Sequence, residues 1–486
     1  MAGVSSDLSS TSARPARAGI GQRLESIFAE FAFVASVAVI AFLLGFYFTE
    51  KHWAPYRTLH NAVKTTTSLY TQLFPPFGPE QFIGFDQRAP ADAARNRIIV
   101  RQPFTGAPAD EHFLMTGGLN EYLDYCTRFG CVAVEFTRSG KVVHAWQYRP
   151  DLLATKETVS RPYEEMLFRF TTNRYPVGLI KLPDGDLVVT FQQWNTFPFA
   201  GGIARIHPDG TPVWFRHDYS HHWPRLLSTG EIAVPAMRIG PSRISFPLAG
   251  GIKIDLACDG KIEEDQVRIL DTDGRVKQEI SVFDAVAHSP WRGMLVEAPN
   301  PCVPLHLNYV TSVTPAMVHL FHDVAADDLL VSLRDLNALA IIGRRDHRLK
   351  HMFTGTFLRQ HSAQPLGQSA TTLIFDDHGA DWSGGPSRLL AFDLATHDEK
   401  TLFPNANARG ATMFSDTAGN ISISPDATRA IVASSWDGTA YEVRISDGAV
   451  LTVFNNIHDI SKVSEAGSSR MQHAGRFVLG GIYYVQ

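Results

Sequence analysis

From Cys131 onward the chain repeats one local design: a short run of β-formers follows a turn that favours positive φ. Val142-Val-His-Ala-Trp146 follows Ser139-Gly140, and Leu187-Val-Val-Thr-Phe191 follows Asp184-Gly-Asp186. Val213-Trp-Phe215 follows Asp209-Gly210, and Ile232-Ala-Val234 follows Thr229-Gly230. Leu329-Leu-Val-Ser332, Ala430-Ile-Val-Ala433 and Leu451-Thr-Val-Phe454 follow Asp327-Asp328, Pro425-Asp426 and Asp447-Gly448 in the same way. Asp-Gly between β-branched runs is a hairpin signal, because the turn needs a backbone that glycine adopts without strain. Long amphipathic helical patterns are scarce. The spacing fits four-stranded units of about 40–60 residues, which predicts an all-β fold, a β-propeller of six blades. A pair of β-sandwiches is the competing architecture.

The N-terminus reads differently. Residues 1–26 are rich in Ser, Ala and Gly, carry Arg14, Arg17 and Arg23, and are expected to be a disordered cytoplasmic tail. Phe31 to Phe48 is then almost wholly apolar, bounded by Glu30 and Glu50. About 20 such residues cross a bilayer core, so 27–49 is expected to be one transmembrane helix preceding the propeller. A cleaved signal peptide would have a shorter apolar region and an Ala-x-Ala-like site after it. Here Ala32, Ala35, Ala38 and Ala41 lie inside the run, and Phe46-Tyr-Phe48 closes it. The arginines before the run favour the N-terminus inside, despite Lys51, Arg57 and Lys64 beyond it. The expectation is a single-pass inner-membrane protein with its propeller in the periplasm. Residues 50–129 are expected to connect, irregular apart from a short helix over His60 to Leu73, and 130–486 to form the propeller.

The four cysteines, Cys126, Cys131, Cys258 and Cys302, suit an oxidising compartment and allow three pairings. Without a Cys-x-x-Cys pair a structural zinc is not expected, and no metal-ligand cluster stands out from the scattered histidines. The formal net charge of −5, with no long basic run, argues against nucleic acid as a partner.

Four segments carry residue types suited to a tetrahedral anion. Leu305-His-Leu-Asn-Tyr309 places His306 and Asn308 on one face if extended. In Ser332-Leu-Arg-Asp-Leu-Asn337, Arg334 would share the face of Ser332, with Asn337 beyond it. An arginine after a buried apolar run needs a counter-charge, from an anion or from Asp335 or Asp327. Arg359-Gln-His361 precedes Thr372-Leu-Ile-Phe-Asp-Asp377, and Ser220-His-His-Trp-Pro224 supplies His221 and His222. An extended run would send that last pair to opposite faces, so only one could face a pocket. Arginine offers a fixed fork of donors to an oxyanion, and imidazole can donate a hydrogen bond, move a proton or attack an electrophile.

In order and wording these segments resemble the bacterial arylsulfate sulfotransferase family, over roughly Gly130 to Asn455. The resemblance implies a six-bladed propeller that moves sulfuryl groups between phenols without a cofactor. It implies that His361 is the nucleophile and that His306, Arg334 and one of His221 and His222, with His222 favoured, are catalytic; beside it, His221 and Asn337 are expected to contact substrate, and Asn308 to orient His306 or the substrate. Two positions depart from the family's pattern: Trp223 and Ser362 stand where Asp is common. Ser362 leaves open which carboxylate, if any, tunes His361. Partners would be an aryl sulfate, a phenol and the membrane.

No phosphate-cradling Gly-x-x-x-x-Gly-Lys-Ser/Thr loop, formylglycine sulfatase signature or Gly-x-Ser-x-Gly is present. The rival readings are a non-catalytic propeller serving as a binding or assembly module at the membrane surface and, further off, a quinone-dependent dehydrogenase.

Overall fold

A computed structural model describes residues 20–50, 97–101, 104–108, 110–117, 131–159, 174–193, 200–247, 251–378, 386–408, 410–415, 418–435, 439–457 and 480–485. The chain divides into two compact units, Met1–Leu73 and Phe74–Gln486.

In the first unit a helix, α1, runs Ile20–Glu50, beginning earlier than residue 27. Residues 20–26, expected to be disordered, continue the helical backbone of the apolar stretch, with no proline among them and with Gly21 within its first turn. Its described side chains, including Phe31, Phe33, Ile40 and Phe42, are exposed. Among the described residues no helix is long and apolar enough to cross a membrane. Residues 1–19, the helix expected over His60 to Leu73, and Cys126 lie outside the described residues.

The second unit is a six-bladed β-propeller. From inner to outer strand, blade 1 is Gly481–Tyr484, His112–Thr116, Cys131–Thr137 and Val142–Gln147. Blade 2 is Arg174–Lys181, Leu187–Gln193, Ala200–Ile206 and Pro212–Arg216, edged by Glu157–Val159. Blade 3 is Arg225–Leu226, Ile232–Ile239, Glu263–Leu270 and Val276–Ser281, with the hairpin Arg243–Pro247/Lys253–Ala257 inserted. Blade 4 is Leu307–Ser312, Leu329–Leu333, Ala338–Ile342 and Leu349–Thr354. Blade 5 is His361–Pro365, Thr371–Asp376, Arg388–Asp393 and Glu399–Phe403. Blade 6 is Gly419–Ile423, Arg429–Ser434, Thr439–Arg444 and Val450–Ile457, edged by Arg97–Arg101.

The sequence turns sit where the hairpins need them. Gly140, Gly185, Gly210, Gly230 and Gly448 all have positive φ, the conformation that favours glycine. Two strands, Arg97–Arg101 and His112–Thr116, lie within the stretch expected to be an irregular connector, so the sheets begin well before residue 130. The reason is closure. Strand His112–Thr116 pairs with the C-terminal Gly481–Tyr484, and Arg97–Arg101 pairs with Val450–Ile457 of the last blade. Arg97–Arg101 has no partner next to it in sequence, and His112–Thr116 is separated from its next-strand partner Cys131–Thr137 by residues 117–130, so neither is marked by a two-residue turn.

Six apolar clusters each span two neighbouring blades and complete the circle. Burying one Phe or Leu contributes ~1.5–3 kcal/mol, so these seams are the main adhesive between blades. Cys258 and Cys302 form a disulfide beside the blade 3 hairpin, and Cys131 is also disulfide-bonded.

Candidate active site at one end of the ring

The inner strands of blades 4 and 5 start, and their second strands end, at the same end of the ring. Leu307 pairs with Leu333, and His361 pairs with Phe375. The candidate residues gather there. His222 precedes the inner strand of blade 3, His306 precedes that of blade 4, and His361 opens that of blade 5. One ring nitrogen from each of the three lies within 4.8 Å of the others. Ring centroids are 5.2 Å apart for His222 and His306, 6.0 Å for His222 and His361, and 6.4 Å for His306 and His361. His222 and His361 are buried, whereas His306 is half-buried and marks the open side.

Backbone geometry makes this convergence possible. His222 and His306 have φ of 53° and 52°, rare for a residue with a Cβ. Such strain persists only where the surroundings over-determine it, and it clusters at functional sites. It also overturns two expectations. The run at His221 and His222 is not extended, so the two rings do not face opposite ways. They meet, with Nδ1 to Nδ1 at 2.6 Å. Nor do His306 and Asn308 share a strand face: His306 lies before the strand, and Asn308 sits at a register shift within it.

Asn308, expected to bind substrate, braces the wall of the site. Its Nδ2 donates to the Gln360 carbonyl at 2.7 Å, tying blade 4 to the residue before His361. Asn337, in left-handed backbone, accepts from the Arg359 N–H at 2.7 Å. Gln360 Nε2 donates to the Leu333 and Ala338 carbonyls at 3.2 and 2.9 Å. These amides hold the entry to blade 5 and thereby aim His361.

Arg334 leaves the second strand of blade 4 in a short 3-10 turn rather than continuing on the face of Ser332. Its Nη1 donates to Asp335 at 2.6 Å, while Asp327 pairs with Arg345 instead. Arg334 Nε is buried without a hydrogen-bond partner among the described residues. An orphaned cationic donor is costly, and an anion in the site would remove the cost.

The carboxylate left open by Ser362 comes from the neighbouring strand. Asp377 Oδ2 lies 2.9 Å from His361 Nδ1, both groups buried. Burial pushes the Asp377 carboxyl up, and the His361 charge opposes this. Ser362, at φ 50°, instead accepts from the Ile421 N–H at 3.1 Å, stitching blade 5 to blade 6. Trp223 sets its ring edge-on to His361 at 5.9 Å and donates from Nε1 to the Gly480 carbonyl at 3.3 Å. Both departures from the family's pattern thus serve the walls of the site.

Behind His222 lies a second carboxyl that sequence reading missed. Asp265, in the third strand of blade 3, is 3.8 Å from His221 Nε2. Glu263-Glu-Asp-Gln-Val-Arg268 reads as a solvated segment, yet all its polar side chains are buried. Asp377 did have a signal, as the acid ending an apolar strand.

Burial holds His222 and His306 well below the usual imidazole range, with Arg334 adding to the effect. Burial likewise lowers His221 to about 3. All three are therefore neutral near pH 7. The three convergent nitrogens were not evident among the scattered histidines. They could approach one cation, with Asp377 behind His361, but the Arg334 guanidinium acting on His222 and His306 opposes a cation and favours an anion. A groove of about 540 Å³, lined by Trp291, Met294, Pro299, Leu336 and Asn337, opens at Asp335, the partner of Arg334.

No protein-family model matches the chain, and no curated protein matches it. Among solved structures, it is similar to a Bacteroides caccae protein of unknown function at 11% identity and TM-score 0.42, covering 77% of this chain and 99% of that one. It is similar to the Dos1 propeller at 9% identity and TM-score 0.33, covering 58% and 59%. A virginiamycin B lyase from Staphylococcus aureus follows at 12% identity and TM-score 0.31, covering 59% and 85%. Likenesses at this level carry no argument about chemistry.

Proposed function

We propose that this propeller transfers a sulfuryl group from an aryl sulfate to a phenol through a sulfohistidine on His361, and that α1 anchors it in the inner membrane with the propeller in the periplasm. The observation that carries the reading is the two-sided environment of His361. Asp377 lies against Nδ1, which leaves Nε2 as the nucleophilic nitrogen on the side of the ring away from the carboxylate. His222, His306 and Arg334 surround the same space. A carboxylate on one imidazole nitrogen fixes the tautomer and stabilises charge that develops on the ring.

The reaction is ping-pong. His361 Nε2 attacks sulfur and the aryl oxygen leaves. Arg334 and neutral imidazole N–H groups stabilise charge on the sulfuryl oxygens, where preorganised donors matter most. A neutral imidazole that carries its proton towards the site can give it to the leaving phenolate. The groove with Trp291, Met294 and Leu336 offers an apolar, partly aromatic wall suited to an aryl ring. The anchor rests on the almost wholly apolar run Phe31 to Phe48 in the sequence and on the exposure of Phe31, Phe33, Val34 and Phe42 along α1.

The direct test is turnover of 4-nitrophenyl sulfate with phenol as acceptor. Acceptor-dependent release of nitrophenol, lost in His361→Ala, is the expected result. No release with any of several aryl sulfates and phenols would favour the non-catalytic propeller.

A further inference from the structure

The reading of His361 as nucleophile leaves two buried titratable groups behind His222 unused: Asp265 and His221. His221 Nδ1 is 2.6 Å from His222 Nδ1, and His221 Nε2 is 3.8 Å from Asp265 Oδ1. All three residues are buried. The backbone N–H groups of Leu307 and His306 also face the Asp265 carboxyl, so one acid backs two of the site's three histidines.

We infer that Asp265 and His221 form a proton relay ending on His222 Nε2, which makes His222 the general acid of the first half-reaction and the general base of the second. This rests on the sulfuryl-transfer reading. Two neutral imidazoles joined Nδ1 to Nδ1 share one proton, so the tautomer of each is set by the other. When Asp265 is protonated it donates to His221 Nε2. His221 Nδ1–H then donates to His222 Nδ1, which leaves the His222 proton on Nε2, towards the site. The 3.8 Å gap is longer than a hydrogen bond and must close by about 1 Å in the loaded site, as catalytic contacts commonly do.

The steps balance. In the first half-reaction the aryl O–S bond breaks and the His361 N–S bond forms. His222 Nε2 gives its proton to the phenolate, takes another from His221, and His221 takes one from Asp265. The products are a phenol, sulfohistidine and ionised Asp265. In the second half-reaction the acceptor phenol returns a proton through the same chain, its oxygen attacks sulfur, and the N–S bond breaks. Asp265 thus gives up its proton for the lifetime of the intermediate and regains it in the second half-reaction.

The electrostatics agree. Burial, with Asp335 nearby, raises Asp265 well above the usual carboxyl range, against the Leu307 and His306 N–H groups that lower it, and so favours its protonated form. Burial keeps His221 neutral; Arg268 lowers it further, opposed by the Ala236 backbone and Asp218. His306, His361 and Arg334 face His222 and keep it neutral too.

The test uses two donors that differ in the basicity of the leaving phenolate, 4-nitrophenyl sulfate and phenyl sulfate, with wild type and Asp265→Asn. Asn keeps the shape but cannot release a proton. The expected result is a loss of about 10²-fold or more in the phenyl sulfate half-reaction with little loss for nitrophenyl sulfate, which needs no acid. His221→Phe, which cuts the relay at its middle, should show the same split. Equal losses for both donors, or none, would overturn the relay and leave Asp265 a packing residue. Infrared difference spectra of wild type minus Asp265→Asn at pH 7 supply a readout independent of turnover. A protonated-carboxyl band supports the relay and its absence overturns it, even if no aryl sulfate reacts and the sulfuryl-transfer reading itself fails.

Discussion

Asp377 stands behind His361 and Asp265 behind the pair His221–His222, so the site has two carboxyl-backed arms, to which the proposals above assign different work. On the first arm, Asp377→Asn removes the charge that favours a positive His361 ring. The proposed transfer should fall by about 10²–10³-fold, mostly in kcat, since the groove proposed for the aryl ring is left unchanged. Arg334→Lys should leave partial activity, because lysine keeps the charge but loses the planar fork. On the second arm, His221 is lowered to about 3 by burial. Its ring should therefore remain neutral at pH 5 in the folded protein, where a free imidazole is mostly charged; nitrogen chemical shifts of labelled histidine would check this. The linked stability effect has a definite sign. Between about 3 and the unfolded value of about 6.5 only the unfolded chain takes the proton, so His221 costs stability as pH falls through that window. Asp265 acts oppositely: its folded form keeps a proton that the unfolded chain has lost, a contribution that disappears as pH rises through its raised folded value. His361, His306 and Arg334 stood out because each follows or precedes a recognisable β run, whereas His222 was favoured over His221 only through the resemblance. Asp265 was not, because three successive acidic residues look like solvent-exposed chain until a neighbouring blade covers them.

At the scale of elements, the site is built from turns rather than from strands. Period-two reasoning placed the strands well, since the hairpin turns carry local chemistry. It failed at His221–His222 and at His306–Asn308, where positive φ at His222 and His306 interrupts alternation. Nothing local announces such a conformation in a histidine; packing from the next blade imposes it. Gly178, in the inner strand of blade 2, is one source of that packing. A Cβ there would come within 2.3 Å of the His222 carbonyl oxygen and 2.7 Å of Trp223 Cα. Thr190 also donates its hydroxyl to the same carbonyl. Gly178→Ala should therefore displace His222, reducing transfer at least tenfold. The expected drop in melting temperature is only a few degrees, on the order of 1–2 kcal/mol. Unchanged activity in a folded Gly178→Ala protein would show that the turn at His222 is not held from blade 2.

For the whole propeller, closure is the least local feature and was the least legible. The seam between blades 1 and 6 joins residues more than three hundred positions apart. Glu442 sits there between Arg138 Nη1 at 2.7 Å and Arg429 Nη1 at 2.7 Å, with the Tyr484 hydroxyl at 2.9 Å. Glu111 receives the other Arg429 nitrogen at 2.8 Å. Removing the shared acid leaves Arg138 and Arg429 to Glu111, so Glu442→Ala should lower unfolding stability by about 3 kcal/mol, the lower end for breaking a buried pair, in denaturant titration. Such a loss should open the ring from the C-terminal strand and disturb the site only secondarily. The measurement that bears most directly on the central claim is mass mapping of the protein mixed with an aryl sulfate in the absence of acceptor, with digestion kept away from low pH. The account predicts one SO₃ on the peptide containing His361, formed with one equivalent of released phenol and discharged when a phenol is added. Turnover without any adduct on that peptide, or an adduct on another histidine, would contradict it.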